Sequence, residues 1–121
     1  MALKLQPGNE LTWVNGTGSA VVSGQVVKFG TRILAVAAVD IANGASGTVH
    51  LVGVFKVPKV TGAVWAAGEV LSWDASAANF DDASAVPAAG DLAGSVIAIA
   101  AGTNGQVTAE VKFLGIPGTL T

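Results

Sequence analysis

The chain has 121 residues, a formal charge of −2 from six basic and eight acidic residues, and no cysteine. Hydrophobic residues make up 51% with 16 glycines besides, and charged residues only 12%, about half the usual ~25%. A single core suits this length; disulfides, thiolate catalysis and cysteine-ligated zinc are excluded, and with neither sign gathered into a block, nucleic acid and membrane are not expected partners.

The chain opens on Ala2-Leu3-Lys4-Leu5-Gln6-Pro7, where Leu3 and Leu5 alternate with Lys4 and Gln6. Such an arm is suited to adding a strand to a neighbouring sheet edge. It lacks the long apolar core and cleavage site of a secretory signal, so folding in the cytoplasm is expected. Residues 1–18 read as this arm plus a first strand, and 19–121 as the β domain, one domain overall.

Strands are predicted near Thr12–Val14, Ala20–Val22, Gln25–Phe29 and Arg32–Val39, with Asn15-Gly16 and Asn43-Gly44 as turns, because β-branched runs between Asn-Gly pairs favour hairpins. Thr48–Val57 reads as one long strand. Val49, Leu51, Gly53 and Phe55 oppose His50, Val52, Val54 and Lys56, and two largely apolar faces predict a central position. Pro58 ends it, since proline removes a ladder donor. Val70–Asp74 follows as a strand.

The alanine-dense stretches Asp74–Ala78 and Ala85–Ala93 leave room for at most one short helix. Ser95–Ala100 and Gln106–Leu114 form a predicted hairpin about Gly102-Thr103-Asn104-Gly105, with Val107, Ala109, Val111 and Phe113 on one face. The longest uncharged stretch, Leu92–Ala109, is interrupted by Gly94, Ser95 and the Gly102 cluster and is no membrane span. The fold expected is all-β, a small barrel or sandwich-like domain of short hairpins.

Candidate chemistry is sparse. His50 has no second histidine and no neighbouring carboxylate in sequence, and reads as a strand residue. Asp74, Asp81, Asp82 and Asp91 are the one acidic cluster; they match no EF-hand spacing and read as turn and cap residues, with adventitious calcium as the rival. Gly16-Thr17-Gly18-Ser19 and Gly44-Ala45-Ser46-Gly47 complete no phosphate or nucleophile motif and read as turns. Lys56 and Lys59 flank Val57-Pro58, as a charged strand edge that resists aggregation. Trp13, Trp65 and Trp73 read as core or contact residues, with sugar stacking as the alternative.

The order of motifs is informative. Ser23-Gly24-Gln25-Val26-Val27 precedes Ile33-Leu34-Ala35-Val36-Ala37 and Asp40-Ile41-Ala42-Asn43-Gly44. Gly53-Val54-Phe55-Lys56-Val57-Pro58-Lys59 and Ala67-Gly68-Glu69-Val70-Leu71-Ser72-Trp73-Asp74 follow. Over residues 20–114 this succession resembles the capsid cement, or head decoration, proteins of tailed bacteriophages and prophages. The segment through Gly18 and the tail Gly115–Thr121 fall outside it.

The resemblance implies a non-enzymatic virion protein, commonly a homotrimer, that docks on the major capsid protein at the outer capsid surface and braces the shell against internal DNA pressure. It implies no cofactor and transfers no catalytic residue. So few ionic side chains cannot clothe a solitary domain, and part of the exterior is expected to face copies of itself or a shell. Leu3, Lys4, Leu5, Pro7, Trp13 and Trp65 are the expected capsid or protomer contacts. The rival functions are a carbohydrate-binding module that stacks sugars on Trp13, Trp65 and Trp73, and an enzyme with a carboxylate site around Asp74, Asp81 and Asp82.

Overall fold

A computed structural model describes residues 8–82 and 87–121, and every regular element among them is a strand. One antiparallel sheet takes β1 (Glu10–Val14), β4 (Ser46–His50), β3 (Ile33–Ala37) and β2 (Val26–Phe29) in that spatial order. The second sheet takes β5 (Val52–Pro58), β9 (Thr108–Leu114), β8 (Leu92–Ala98), β6 (Val70–Asp74) and β7 (Asn79–Asp81), with β10 (Thr119–Leu120) also paired to β8. The all-β expectation holds. The sheet does not close into a barrel, although Val60 donates to the Phe80 carbonyl (2.8 Å) beside a parallel bridge from Lys59 to Phe80, which curls β7 toward the end of β5.

The first sheet is a middle layer, and β3 shows why. Its period of two sends Leu34 and Val36 into a core with Trp65, Trp73, Phe80 and Phe113, while Ala35 and Ala37 face a second core with Val21, Ile41 and Val49. In the larger core Phe113 lies edge-on to Phe55 (centroids 5.5 Å apart) and to Phe80 (6.0 Å), the T-shaped arrangement that aromatic quadrupoles favour. Buried Ser95 ties three parts together: its hydroxyl accepts from the Leu34 amide at 3.2 Å and donates to the Ile116 carbonyl at 3.0 Å.

The predicted strand Thr48–Val57 is two strands in different sheets, divided at Leu51. β4 is central, between β1 and β3, but β5 is an edge that pairs only with β9. Val49, Leu51 and Val57 all lie on one face, which serves the smaller core in β4 and the larger one in β5, whereas the other face is not a core face, with Val54 58% exposed. Gly53 allows the transfer: at φ +150 it occupies backbone space that side-chain-bearing residues avoid.

The predicted β8–β9 hairpin exists, but its ladder runs only from Val96 opposite Phe113 to Ala98 opposite Val111. Asn104-Gly105 is the tip of a longer loop, residues 99–107, and does not close the hairpin directly. That loop turns aside to pair Gly102 with Trp65. Ala109, Val111 and Phe113 face inward as expected, whereas Val107 precedes β9 and is 65% exposed.

Ala20–Val22 contributes a single bridge, Val21 to Ile41, and not a strand. Asp74–Ala78 is the β6–β7 connection and holds a single helical turn, not a helix: the Ala78 amide donates to the Asp74 carbonyl four residues back (2.8 Å), and Ala78 at φ +55 ends the turn. Of the other helix candidate, residues 83–86 lie outside the described residues, and residues 87–93 hold no helix. The arm residues Leu3, Lys4, Leu5 and Pro7 also lie outside them.

Candidate interaction surfaces

The acidic residues serve loops. Asp74 accepts from the Ser76 hydroxyl (2.8 Å) and from the Ser76 and Ala77 amides (3.1 and 3.2 Å). The Ser76 hydroxyl foremost, then these amides, hold its carboxyl below the ordinary value. Buried Asp91 accepts from the Ala75 and Ala88 amides at 3.1 and 2.8 Å, and Asp81 accepts from the Asp82 amide at 2.8 Å. Among the described residues no three His, Cys, Asp or Glu side chains converge to hold a metal ion.

His50 sits on β4 opposite Glu10 of β1, its Nδ1 3.7 Å from the Glu10 carboxylate, and its ring is 5.6 Å from that of Phe55. This is a cross-strand contact. Of the two glycine-rich loops, the first is organised by buried Asn15. Its amide nitrogen donates to the Ser19 and Ile41 carbonyls (2.8 and 3.0 Å), and its oxygen accepts from the Thr17 amide and hydroxyl (3.0 and 2.7 Å). Asn15-Gly16 is therefore a side-chain clamp on the loop, whereas Asn43-Gly44 is a turn with Gly44 at φ +80.

The three tryptophans do not form one platform. Trp65 is 3% exposed, lies under Gly102, and donates its Nε1–H to the Ala100 carbonyl at 3.2 Å. The Lys59 ammonium sits 5.2 Å from its ring centroid. Lys59 is thus not the solvated edge lysine expected: it is 3% exposed and donates to the Val60 carbonyl at 2.8 Å. The bridge to Phe80 carries it inward past Pro58, while Lys56 stays exposed.

Trp73 is buried in the larger core. Half-buried Trp13 borders a cleft of about 590 Å³ that Val26, Lys28, Gln25, Thr17 and Trp73 also line. Its polar lining makes internal bonds: Lys28 Nζ to the Gly90 carbonyl (2.7 Å), Thr17 Oγ1 to Asn15 (2.7 Å), and the Val22 amide to Gln25 Oε1 (3.2 Å).

A sequence-family model described as phage cement protein matches residues 5–113. The chain belongs to the phage cement protein family. No curated protein matches it. The match takes in part of the N-terminal segment that the motif succession had left out, and it ends at Phe113, before the Gly115–Thr121 tail. Membership gives this cement protein a capsid-associated, structural role, and with it a place in the virion, and it implies a non-enzymatic protein.

Sequence reasoning missed Asn15, Lys59 and Gly102 as organising residues. Asn15 was visible only as a turn signal, and the other two depend on pairing with residues distant in the chain.

Proposed function

We propose that this cement protein binds the outside of the capsid as a homotrimer, contacts the major capsid protein, and braces the shell against internal DNA pressure. It is made in the host cytoplasm and acts on the virion's outer surface. The observation that carries the reading is the apolar exterior: Val14, Val22, Val54, Val64 and Val107 are each more than half exposed in a chain with 12% charged residues. Exposed apolar surface of this kind suits burial against partners.

A trimer seated where capsid subunits meet ties them through three linked contacts, and linkage raises effective concentration without any single strong bond. In this reading Leu3, Lys4, Leu5 and Pro7 reach out as an added strand, and Trp13 offers apolar contact at the cleft mouth. Trp65 acts from beneath, by holding loop 99–107 in place.

Co-sedimentation with expanded capsids tests binding, and heat release of packaged DNA from decorated and bare capsids tests bracing. The proposal expects saturable binding and a higher release temperature with the protein bound. Absence of binding would refute it, and undiminished binding after deletion of residues 2–7 would remove the arm from the mechanism.

A further inference from the structure

The outer edge of β1 carries backbone groups that want a partner. The Asn9 carbonyl accepts from the Leu51 amide and the Asn15 amide donates to the Ala45 carbonyl (2.8 and 2.9 Å), so Asn9, Leu11, Trp13 and Asn15 turn their backbone groups toward β4. Glu10, Thr12 and Val14 turn theirs the other way. The Thr48 carbonyl, opposite Thr12, accordingly accepts from the Ala38 amide at 2.9 Å and leaves Thr12 alone. Because β1 ends its sheet, no strand among the described residues meets these outward groups. Along the same edge Leu11 and Trp13 are only half-buried against the smaller core, and Trp13 borders the cleft of about 590 Å³.

The segment that precedes β1 fits this edge in length and in pattern. The chain enters β1 through a turn at Gly8 and Asn9, Pro-Gly marks turns, and Pro7-Gly8-Asn9 has the length of a three-residue hairpin loop. A loop of that length sets Gln6 opposite Glu10, Leu5 opposite Leu11, Lys4 opposite Thr12 and Leu3 opposite Trp13. Cross-strand partners share a face. Both leucines then fall on the half-buried side with Leu11 and Trp13, and Lys4 and Gln6 fall on the exposed side with Glu10 and Thr12. Lys4 is there diagonal to the Glu10 carboxylate, within reach of a long side chain. A two-residue loop would slip the register by one, setting Lys4 against Trp13 and reversing every match.

We propose that residues 3–6, which lie outside the described residues, fold back within the same chain as an added strand on β1, with Leu5 against Leu11 and Leu3 against Trp13 at the cleft mouth. The arm is then a strap on its own sheet edge. It must leave β1 before it can add to a capsid edge, a consequence that rests on the capsid role proposed above, whereas the strap itself requires no capsid. Since the chain has no cysteine, two introduced thiols report on this contact alone. In the matched register Leu5 and Leu11 face each other without exchanging hydrogen bonds, a pair whose Cα atoms stand about 4.5 Å apart, and a disulfide spans that distance. Leu5→Cys with Leu11→Cys therefore oxidises to a cross-linked monomer, seen without reductant by electrophoresis and located by peptide mass mapping. Lys4→Cys with Leu11→Cys, one residue out of register, and Leu5→Cys with Val107→Cys, on the other sheet, cross-link about tenfold more slowly or less. In hydrogen exchange the Thr12 amide is protected in wild type, and deletion of residues 2–7 lowers that protection about tenfold or more. Circular dichroism verifies that each variant is folded.

Matched thiols that react no faster than the two controls overturn the strap, as do disulfides formed only between chains, or a Thr12 amide that exchanges freely in wild type. Capsid co-sedimentation of the matched variant, oxidised and then reduced, separates the two readings. Binding that is weaker when oxidised and recovers on reduction supports both. Equal binding in the two states removes the arm from the capsid contact and leaves the strap to the cross-linking result, and reduced protein that ignores capsids sinks the cement function while the cross-link still decides the strap.

Discussion

Replacing Gly102 with alanine places a methyl group where the fold has no room. A Cβ at this position would lie 2.5 Å from Trp65 Cε2 and 2.8 Å from both Cδ2 and Nε1, whereas apolar carbons rest at about 3.5–4.0 Å. About 1 Å must therefore be found. The indole cannot readily yield it, because it is buried, bonded to the Ala100 carbonyl and covered by Lys59. Nor can the loop, because Gly102 exchanges two backbone hydrogen bonds with Trp65, at 3.0 and 3.1 Å.

Overpacking of this kind costs about 1–3 kcal/mol. In a chain of this length that lowers Tm by roughly 3–15 °C. Thermal unfolding followed by circular dichroism measures it, with Gly62→Ala as the control. Gly62 has open space and no left-handed φ, so its substitution leaves stability unchanged or raises it by up to about 1 kcal/mol. Trp65→Phe, which shortens the ring under the new methyl, returns part of the loss in the Gly102→Ala background. Melting of Gly102→Ala at the wild-type temperature would refute the steric argument, and so would failure of Trp65→Phe to recover stability.

Gly118→Ala is more severe, because its Cβ would lie 2.5 Å from the Ala93 carbonyl oxygen. Backbone cannot step aside, so β10 leaves β8, and hydrogen exchange shows loss of protection at Thr121, whose amide donates to the Asp91 carbonyl. Asn15→Ala removes one of the two donors to the Ile41 carbonyl, which keeps the Val21 amide, and frees loop 16–19 from its clamp; together the lost bonds cost about 1–3 kcal/mol by urea denaturation. Asp74 titrates below its ordinary 3.8 because the Ser76 hydroxyl and the Ser76 and Ala77 amides favour its charged form. A depressed folded-state pKa means that its stabilising effect is full above the unfolded value and fades as pH falls through the folded one. Carboxyl NMR shows this, and Ser76→Ala moves the midpoint back upward.

What the sequence reveals depends on whether one ladder governs a stretch. Ala109, Val111 and Phe113 alternate cleanly because β9 keeps one face on the larger core throughout. The same alternation continues back to Val107, where the partner strand has ended and the chain is exposed. Likewise the period of two runs unbroken from Val49 to Val57 while the partners change from β1 and β3 to β9. Side-chain periodicity does not record which strand supplies the hydrogen bonds. Lys59 and Gly102 are hidden for a related reason: each is placed by a bridge, to Phe80 and to Trp65, that spans a long stretch of sequence.

The candidate surface was legible as composition and illegible as location. Too few charges to cover the exterior predicts exposed apolar side chains, and the exposed valines bear that out. The period of two says that Val54 and Lys112 share a face with their own strand neighbours, but only the register aligns them with Ile97 and Val70. Asp74 and Asp91, weighed as candidate chemistry, have another use that Asn15 and Ser95 share. Asn15, Asp74, Asp91 and Ser95 direct their hydrogen bonds at backbone groups of loops and strand ends. Loops fixed in this way have less freedom left to lose when they dock, and that loss is a main cost of association. A cement protein with such loops can bind through small apolar contacts, since less of their stabilisation is consumed in ordering the chain.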